Sequence, residues 1–223
     1  MSLADAKKKI ESILGTYSVS GTPAIGLVPS KLTSGKVYEF WVLCEVLERM
    51  SADEGYSVAL MHSTKVVLKS APGPINRKYP YFRLQHRSKP DLEVWTDVEF
   101  MSLSSQRPYP KPVATDPGDY HELDIVVVPA GSTGRPLYSD VRIGVECKNT
   151  GYTKELLRAM LGVRRELSLL AHDEPTGFDT WPRDAVPANP SSCVLVYSTD
   201  AAVANYASPG KTFGIDFVSF PIS

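Results

Sequence analysis

Three residues in this sequence could do chemistry because of where they fall. Glu146 and Lys148 lie two apart in VRIGVECK (141–148), whose apolar positions read as a strand. Residues two apart in a strand share a face, so Glu146 and Lys148 point one way while Val145 and Cys147 point the other. In the preceding apolar run, HELDIVVV (121–128), the same alternation places Glu122, Asp124, Val126 and Val128 together. If the two strands pair with Asp124 beside Glu146, three charged groups converge at one end of a mostly apolar sheet. Burying them is costly unless they are paired or bind a metal. Two carboxylates make a hard-cation site suited to Mg²⁺ or Mn²⁺, with the ammonium alongside. The plainer alternative is a Glu146–Lys148 pair on an exposed strand face, worth little to stability. The long apolar flanks argue against that exposure.

These strands need a framework. Residues 4–14 read as a short helix, and 15–35, rich in Gly, Pro, Ser and Thr, as loop. KVYEFWVLCEVLERM (36–50) has no Gly or Pro and reads as a strong helix with Ser34 as candidate N-cap. At about 100° per residue, Glu39 falls within the apolar stripe of Leu43, Val46 and Met50. A glutamate there calls for a partner, and metal would supply one, directly or through water. The alternative is a half-exposed residue favoured by the helix N-terminus. YSVALM (56–61) and TKVVLK (64–69) read as a hairpin or one bent strand, and YFRLQ (81–85) and LEVWTDVEF (92–100) as further strands. Residues 102–118, with four prolines, read as an irregular excursion. After the 141–148 strand come a helix over 153–170, a loop over 171–191, and strands at 193–198 and 213–220. Strand–helix–strand over 141–198 implies a parallel crossover. The expected fold is α/β, a mixed central sheet flanked by helices, in one domain spanning 1–223 with a basic hairpin insertion around 55–100.

Asp124, a gap of 21 residues, then Glu146-Cys147-Lys148 resembles the D…(D/E)-x-K signature of the PD-(D/E)xK nuclease superfamily. The setting, ELDIVVV…VRIGVECKNT, is similar to the two central strands of that restriction-endonuclease-like fold. The helix–strands–helix–strand order over roughly residues 36–198 matches its core. Many members carry a further acid on the first core helix, where this chain has Glu39. The family's usual proline before the aspartate is absent, because Asp124 follows Leu123. A literal Pro-Asp at Pro90-Asp91 begins a different strand, 54 residues before Glu146. The resemblance implies metal-dependent hydrolysis of a phosphodiester in nucleic acid, DNA foremost, in restriction, defence or repair. Asp124, Glu146, the Cys147 backbone carbonyl and Glu39 would hold Mg²⁺ or Mn²⁺. Lys148 would orient the attacking water and stabilise charge building on the phosphate. The competing class is a non-catalytic nucleic-acid-binding or assembly module on the same fold. A nuclease that needs a partner or ligand for activity fits the same residues.

Charge is unevenly spread. The net charge is -1, yet Gly55 to Pro90 holds no acid and seven basic residues: Lys65, Lys69, Arg77, Lys78, Arg83, Arg87 and Lys89. This block is either a phosphate-attracting surface, with Arg77, Lys78, Arg83 and Arg87 as contacts, or a solvated hairpin face. Lys154, Arg158 and Arg165, toward one side of the later helix, invite the same two readings. Oligomeric state is left open by the sequence, a homodimer being common where both strands of a duplex must be cut. No apolar run approaches the ~20 residues that span a bilayer, and the charged MSLADAKKKIESIL lacks a signal-peptide core. Three widely spaced cysteines, Cys44, Cys147 and Cys193, fit a reduced, cytoplasmic setting better than disulfides. No nucleophile elbow, phosphate-binding glycine loop, dinucleotide-binding turn or zinc-type histidine pair occurs.

Overall fold

The computed structural model describes residues 2–18, 28–29, 32–62, 66, 68–69, 71–107, 109–170, 180–181 and 188–222. Helix α1 (Leu3–Thr16) starts at Ser2, whose Oγ accepts the Asp5 N–H. Ala6, Ile10 and Leu14, four apart, are its buried stripe and pack against helix α2 (Ser34–Ala52). The α2 cap is Thr33 rather than Ser34, with Thr33 Oγ1 accepting the Lys36 N–H at 3.2 Å. Ten α2 residues are buried, more than a single stripe. The helix lies between α1 on one side and the sheet on the other.

The central sheet has seven strands. In chain order its members are β1 (Ser57–Met61), β2 (Tyr81–Gln85), β3 (Leu92–Met101), β4 (Tyr120–Pro129), β5 (Ile143–Lys148), β8 (Cys193–Ser198) and β9 (Ile215–Ser219). They also stand in this order across the sheet. A separate two-stranded ribbon pairs β6 (Leu169–Leu170) with β7 (Ala188–Asn189). Pairing is antiparallel from β1 through β5 and parallel across β5, β8 and β9. Antiparallel neighbours need only short links, whereas the parallel β5–β8 step requires a crossover. Helix α4 (Lys154–Leu167) supplies it, capped by Thr153. The mixed α/β architecture expected from the sequence is thus present.

Two apolar layers enclose the sheet. On one face Ile125, Val127, Ile143, Val145 and Leu195 pack under α1 and α2. On the other, Val126, Val128, Val194 and Val196 pack with Met160 and Leu167 of α4 and with Val203. Each such fully buried side chain contributes about 1.5–3 kcal/mol of transfer free energy. Short helices α3 (Leu103–Gln106) and α5 (Ala207–Phe213) complete the described fold.

Two expectations about local structure change. β1 pairs with β2, from Ser57↔Gln85 to Met61↔Tyr81. Val66, Leu68 and Lys69 are not in a strand, and 63–65, 67 and 70 lie outside the described residues. The last strand begins at Ile215, since α5 occupies the preceding segment and ends at Gly214 with φ of 69°. The expected loop over 171–191 falls largely on 171–179 and 182–187, outside the described residues.

Candidate metal centre

Strand alternation breaks at two aspartates. Trp95 and Val98, three apart on β3, face the same apolar layer, as do Leu123 and Val126 on β4. A period of two forbids this unless each strand switches faces in between. The switch occurs where Asp97 and Asp124 lie opposite one another, between the pairs Thr96↔Ile125 and Val98↔Leu123. Asp97 takes a left-handed φ of 51°, a conformation costing of order 1 kcal/mol and best tolerated by Asp and Asn. Gly144 accommodates the switch from β5. A Cβ there would lie 2.8 Å from Leu123 Cδ1, so a side chain at this position would push Leu123 aside on the α4 face.

Asp124 sits where two strands part. The β4–β5 pairing ends at Ile125↔Val145, after which β5 continues with β8 and β4 with β3. Asp124 Oδ2 accepts the Cys147 N–H at 2.7 Å and so satisfies a donor that the parting strand leaves behind. Glu146 shares the face of Gly144, toward α4, and forms an ion pair with Lys148. On the α2 side, carboxylate oxygens of Glu39, Asp97 and Asp124 lie within 4.8 Å of one another. The Lys36 ammonium bridges Glu39 Oε2 at 2.6 Å and Asp97 Oδ1 at 2.7 Å. The Lys69 N–H donates to Asp97 Oδ2 at 3.1 Å, while its ammonium turns to the Asp97, Gly73 and Pro74 carbonyls.

The electrostatics follow from burial without enough positive charge. Burial and then the charge of Glu146 push Asp124 well above the usual carboxylate range, against the Cys147 hydrogen bond. Burial raises Glu39 to about 7 although the Lys36 hydrogen bond opposes it, and Asp124 adds to the rise. Burial also raises Glu146, with Lys148 opposing. For Lys148 burial acts downward, but the attraction of Glu146 and Asp124 prevails and the group is raised. When all are ionised, Lys36 pairs with Glu39 and Asp97 and Lys148 with Glu146, while Asp124 accepts the Cys147 N–H; these four carboxylates and two ammonium groups leave two negative charges. Oxygen donors with an excess of two negative charges fit one hard divalent cation.

The structure thus groups Asp124 and Glu39 with Asp97 and Lys36, and sets the Glu146–Lys148 pair near enough for its charges to act on Asp124. Asp97 left one signal in the sequence, an aspartate inside the apolar strand LEVWTDVEF. Of the basic residues of 55–90, Lys69 meets Asp97, and several others are paired away from the site. Arg77 clamps buried Glu93 with Nη1 and Nη2 at 2.9 and 3.0 Å and lies over the Tyr81 ring. Arg83 pairs with Asp91, and Lys89 with Glu54. Lys78 and Arg87 are exposed, and Lys65 lies outside the described residues. Lys154, Arg158 and Arg165 are exposed on α4, which begins six residues after Lys148.

No described helix is long and apolar enough to cross a membrane. Comparison of the chain with protein-family models, curated proteins and solved structures returns no match.

Proposed function

We propose that this protein is a divalent-cation-dependent phosphodiesterase of the restriction-endonuclease-like kind, hydrolysing nucleic acid, DNA foremost. The observation that carries this reading is the position of Asp124 at the fork of β4 and β5. There one carboxylate joins Glu146 and Lys148 on one side to Glu39 and Asp97 on the other. Asp124, Glu146, Glu39 and the Cys147 carbonyl are the groups proposed to hold Mg²⁺ or Mn²⁺. A divalent ion bound there supplies positive charge to a phosphodiester and acidifies water. Lys148, kept charged by its carboxylate neighbours, orients a water for attack and stabilises charge growing on the phosphate oxygens. Glu146 holds Lys148 in place. The exposed Lys154, Arg158 and Arg165 are proposed to meet backbone phosphates.

The test is cleavage of plasmid and of single-stranded DNA with Mg²⁺ or Mn²⁺, and again in excess chelator. Activity in the metal-free reaction refutes the reading. Lys148→Ala should lower single-turnover cleavage about 10²- to 10³-fold, the range for losing one transition-state donor. Metal and DNA affinity should stay unchanged, since the group acts on charge that develops only during reaction. Wild-type turnover in that variant would make Glu146-Cys147-Lys148 an ordinary strand. A non-catalytic nucleic-acid-binding module on the same fold predicts retained DNA binding with no metal-dependent cleavage at all.

A further inference from the structure

Lys36 is in an unfavourable place for a lysine. With Thr33 as N-cap it lies in the first turn of α2, where the helix dipole favours anions, and that turn holds no acid. Lysine side chains there normally extend into water. This one folds back instead and sets its ammonium between two carboxylates, 2.6 Å from Glu39 and 2.7 Å from Asp97. Asp97 is 61 residues away in sequence and 7% exposed, so the contact is tertiary and largely shielded from solvent. The third member of the cluster, Asp124, also feels the charge of Glu146.

Where two metals act on a phosphodiester they sit about 3.5–4 Å apart, held by carboxylates around both. Asp124 has the Glu39–Asp97 pair within 4.8 Å on the α2 side, and the charge of Glu146 acts on it from the α4 face. We propose that the Lys36 ammonium is a built-in cation in the second of these positions, so that the protein binds a single divalent ion. The inference rests on the phosphodiesterase reading for its functional meaning, but the geometry of Lys36 stands apart from it. The charge balance agrees. With Lys36 and Lys148 in place one divalent ion neutralises the four carboxylates, and a second would leave an excess of positive charge in a partly buried site. A tethered ammonium also resists chelators and supplies one positive charge instead of two.

Removing the ammonium should open the position to metal. The experiment is calorimetric titration of wild type, Lys36→Met, Lys36→Gln and Lys36→Arg with Mn²⁺ alone, with electron paramagnetic resonance on the same samples. Wild type and Lys36→Arg should take up one equivalent and show isolated Mn²⁺. Lys36→Met and Lys36→Gln should take up one equivalent more, and their spectra should show two coupled ions. Two equivalents in the wild type overturn the proposal without reference to any variant. So does an unchanged stoichiometry in whichever neutral variant keeps the wild-type circular dichroism. No Mn²⁺ in the wild type and one equivalent in Lys36→Met would uphold the role of Lys36 while removing the phosphodiesterase reading.

Discussion

Glu93 and Asp124 are carboxylates in one sheet whose charges are met in opposite ways. Burial pushes both toward the neutral form. Glu93, its side chain only 3% exposed, receives two guanidinium N–H groups from Arg77, the Trp95 indole N–H and the Gly131 N–H. These donors overcome burial and leave Glu93 below the usual carboxylate range. Asp124 receives the Cys147 N–H and faces further carboxylates, and it ends well above that range. Both are acidic residues in apolar strands, and burial alone does not separate them. The donor supply does: one cluster is complete within the chain, and the other is short of positive charge.

The largest expected effect concerns the complete cluster. Arg77→Ala strands a buried carboxylate and should cost about 3 kcal/mol, the low end for breaking a buried pair because Arg77 is partly exposed. Urea unfolding should show this loss equally with Mn²⁺ and with chelator. Unchanged stability together with weakened nucleic-acid binding would instead make Arg77 an interface residue, and the contrast between the clusters would fail.

The deficient cluster should behave in the reverse way. Glu39 at about 7 and the raised Asp124 bind protons more tightly folded than unfolded, where carboxylates titrate near ~4. Between those values the native state holds the extra protons, so stability falls as pH rises from about 4 toward 7. In chelator, Tm should therefore be lower at pH 8 than at pH 5.5. Mn²⁺ at pH 8 should restore it, by about 2.7 kcal/mol at a hundredfold excess over Kd. Asp124→Asn should raise Tm at pH 8 in chelator and flatten both responses. A chelator-treated wild type that gains stability over the same range would show that the cluster already holds enough positive charge.

The two clusters also differ in how far the sequence disclosed them. Glu146 and Lys148 were legible because strand period and apolar flanks fix their shared face, whereas for Asp124 the period misled: β4 switches faces there, so Asp124 does not share the face of Val126 and Val128. Glu39 was legible because a glutamate on a buried helical stripe needs a partner. Asp97 was hidden by its own backbone, since a left-handed residue inside β3 switches the strand's faces and defeats simple alternation. Lys36 was not singled out, because its partner on β3 is distant in sequence. The charged block at 55–90 was visible, but the acids that neutralise part of it, Glu54, Asp91 and Glu93, lie just outside it. Composition registers charge in sequence and not its pairing in space. The helix α5 was obscured by Pro209 and Gly210, and Gly210 packs too closely on the Ile215 carbonyl to carry a side chain.

The smallest effect separates two surfaces that the sequence offered equally as phosphate-binding faces. Arg158 and Arg165 are exposed on α4, beyond the strand that carries Lys148, whereas Arg83 pairs with Asp91 at 3.0 Å on the antiparallel side of the sheet. Reversing both helix charges (Arg158→Glu with Arg165→Glu) should weaken DNA binding about tenfold at moderate salt. If each arginine neutralises one phosphate, the slope of log affinity against log salt should flatten by about 0.9 for every phosphate no longer neutralised. Arg83→Glu breaks an exposed pair worth about 0–1 kcal/mol, so its effect on stability should be small. Its effect on the salt slope should be smaller than that of the helix pair, because part of its charge is already matched by Asp91. Arg87, exposed nearby, is the internal control: Arg87→Glu should resemble Arg83→Glu if this side of the sheet is merely solvated. A salt series in which Arg83→Glu and Arg87→Glu flatten the slope more than the helix pair would move the DNA path to β1–β3, away from α4. The metal-centre assignments would then stand, but the route by which a phosphodiester reaches Asp124 would have to cross the antiparallel half of the sheet.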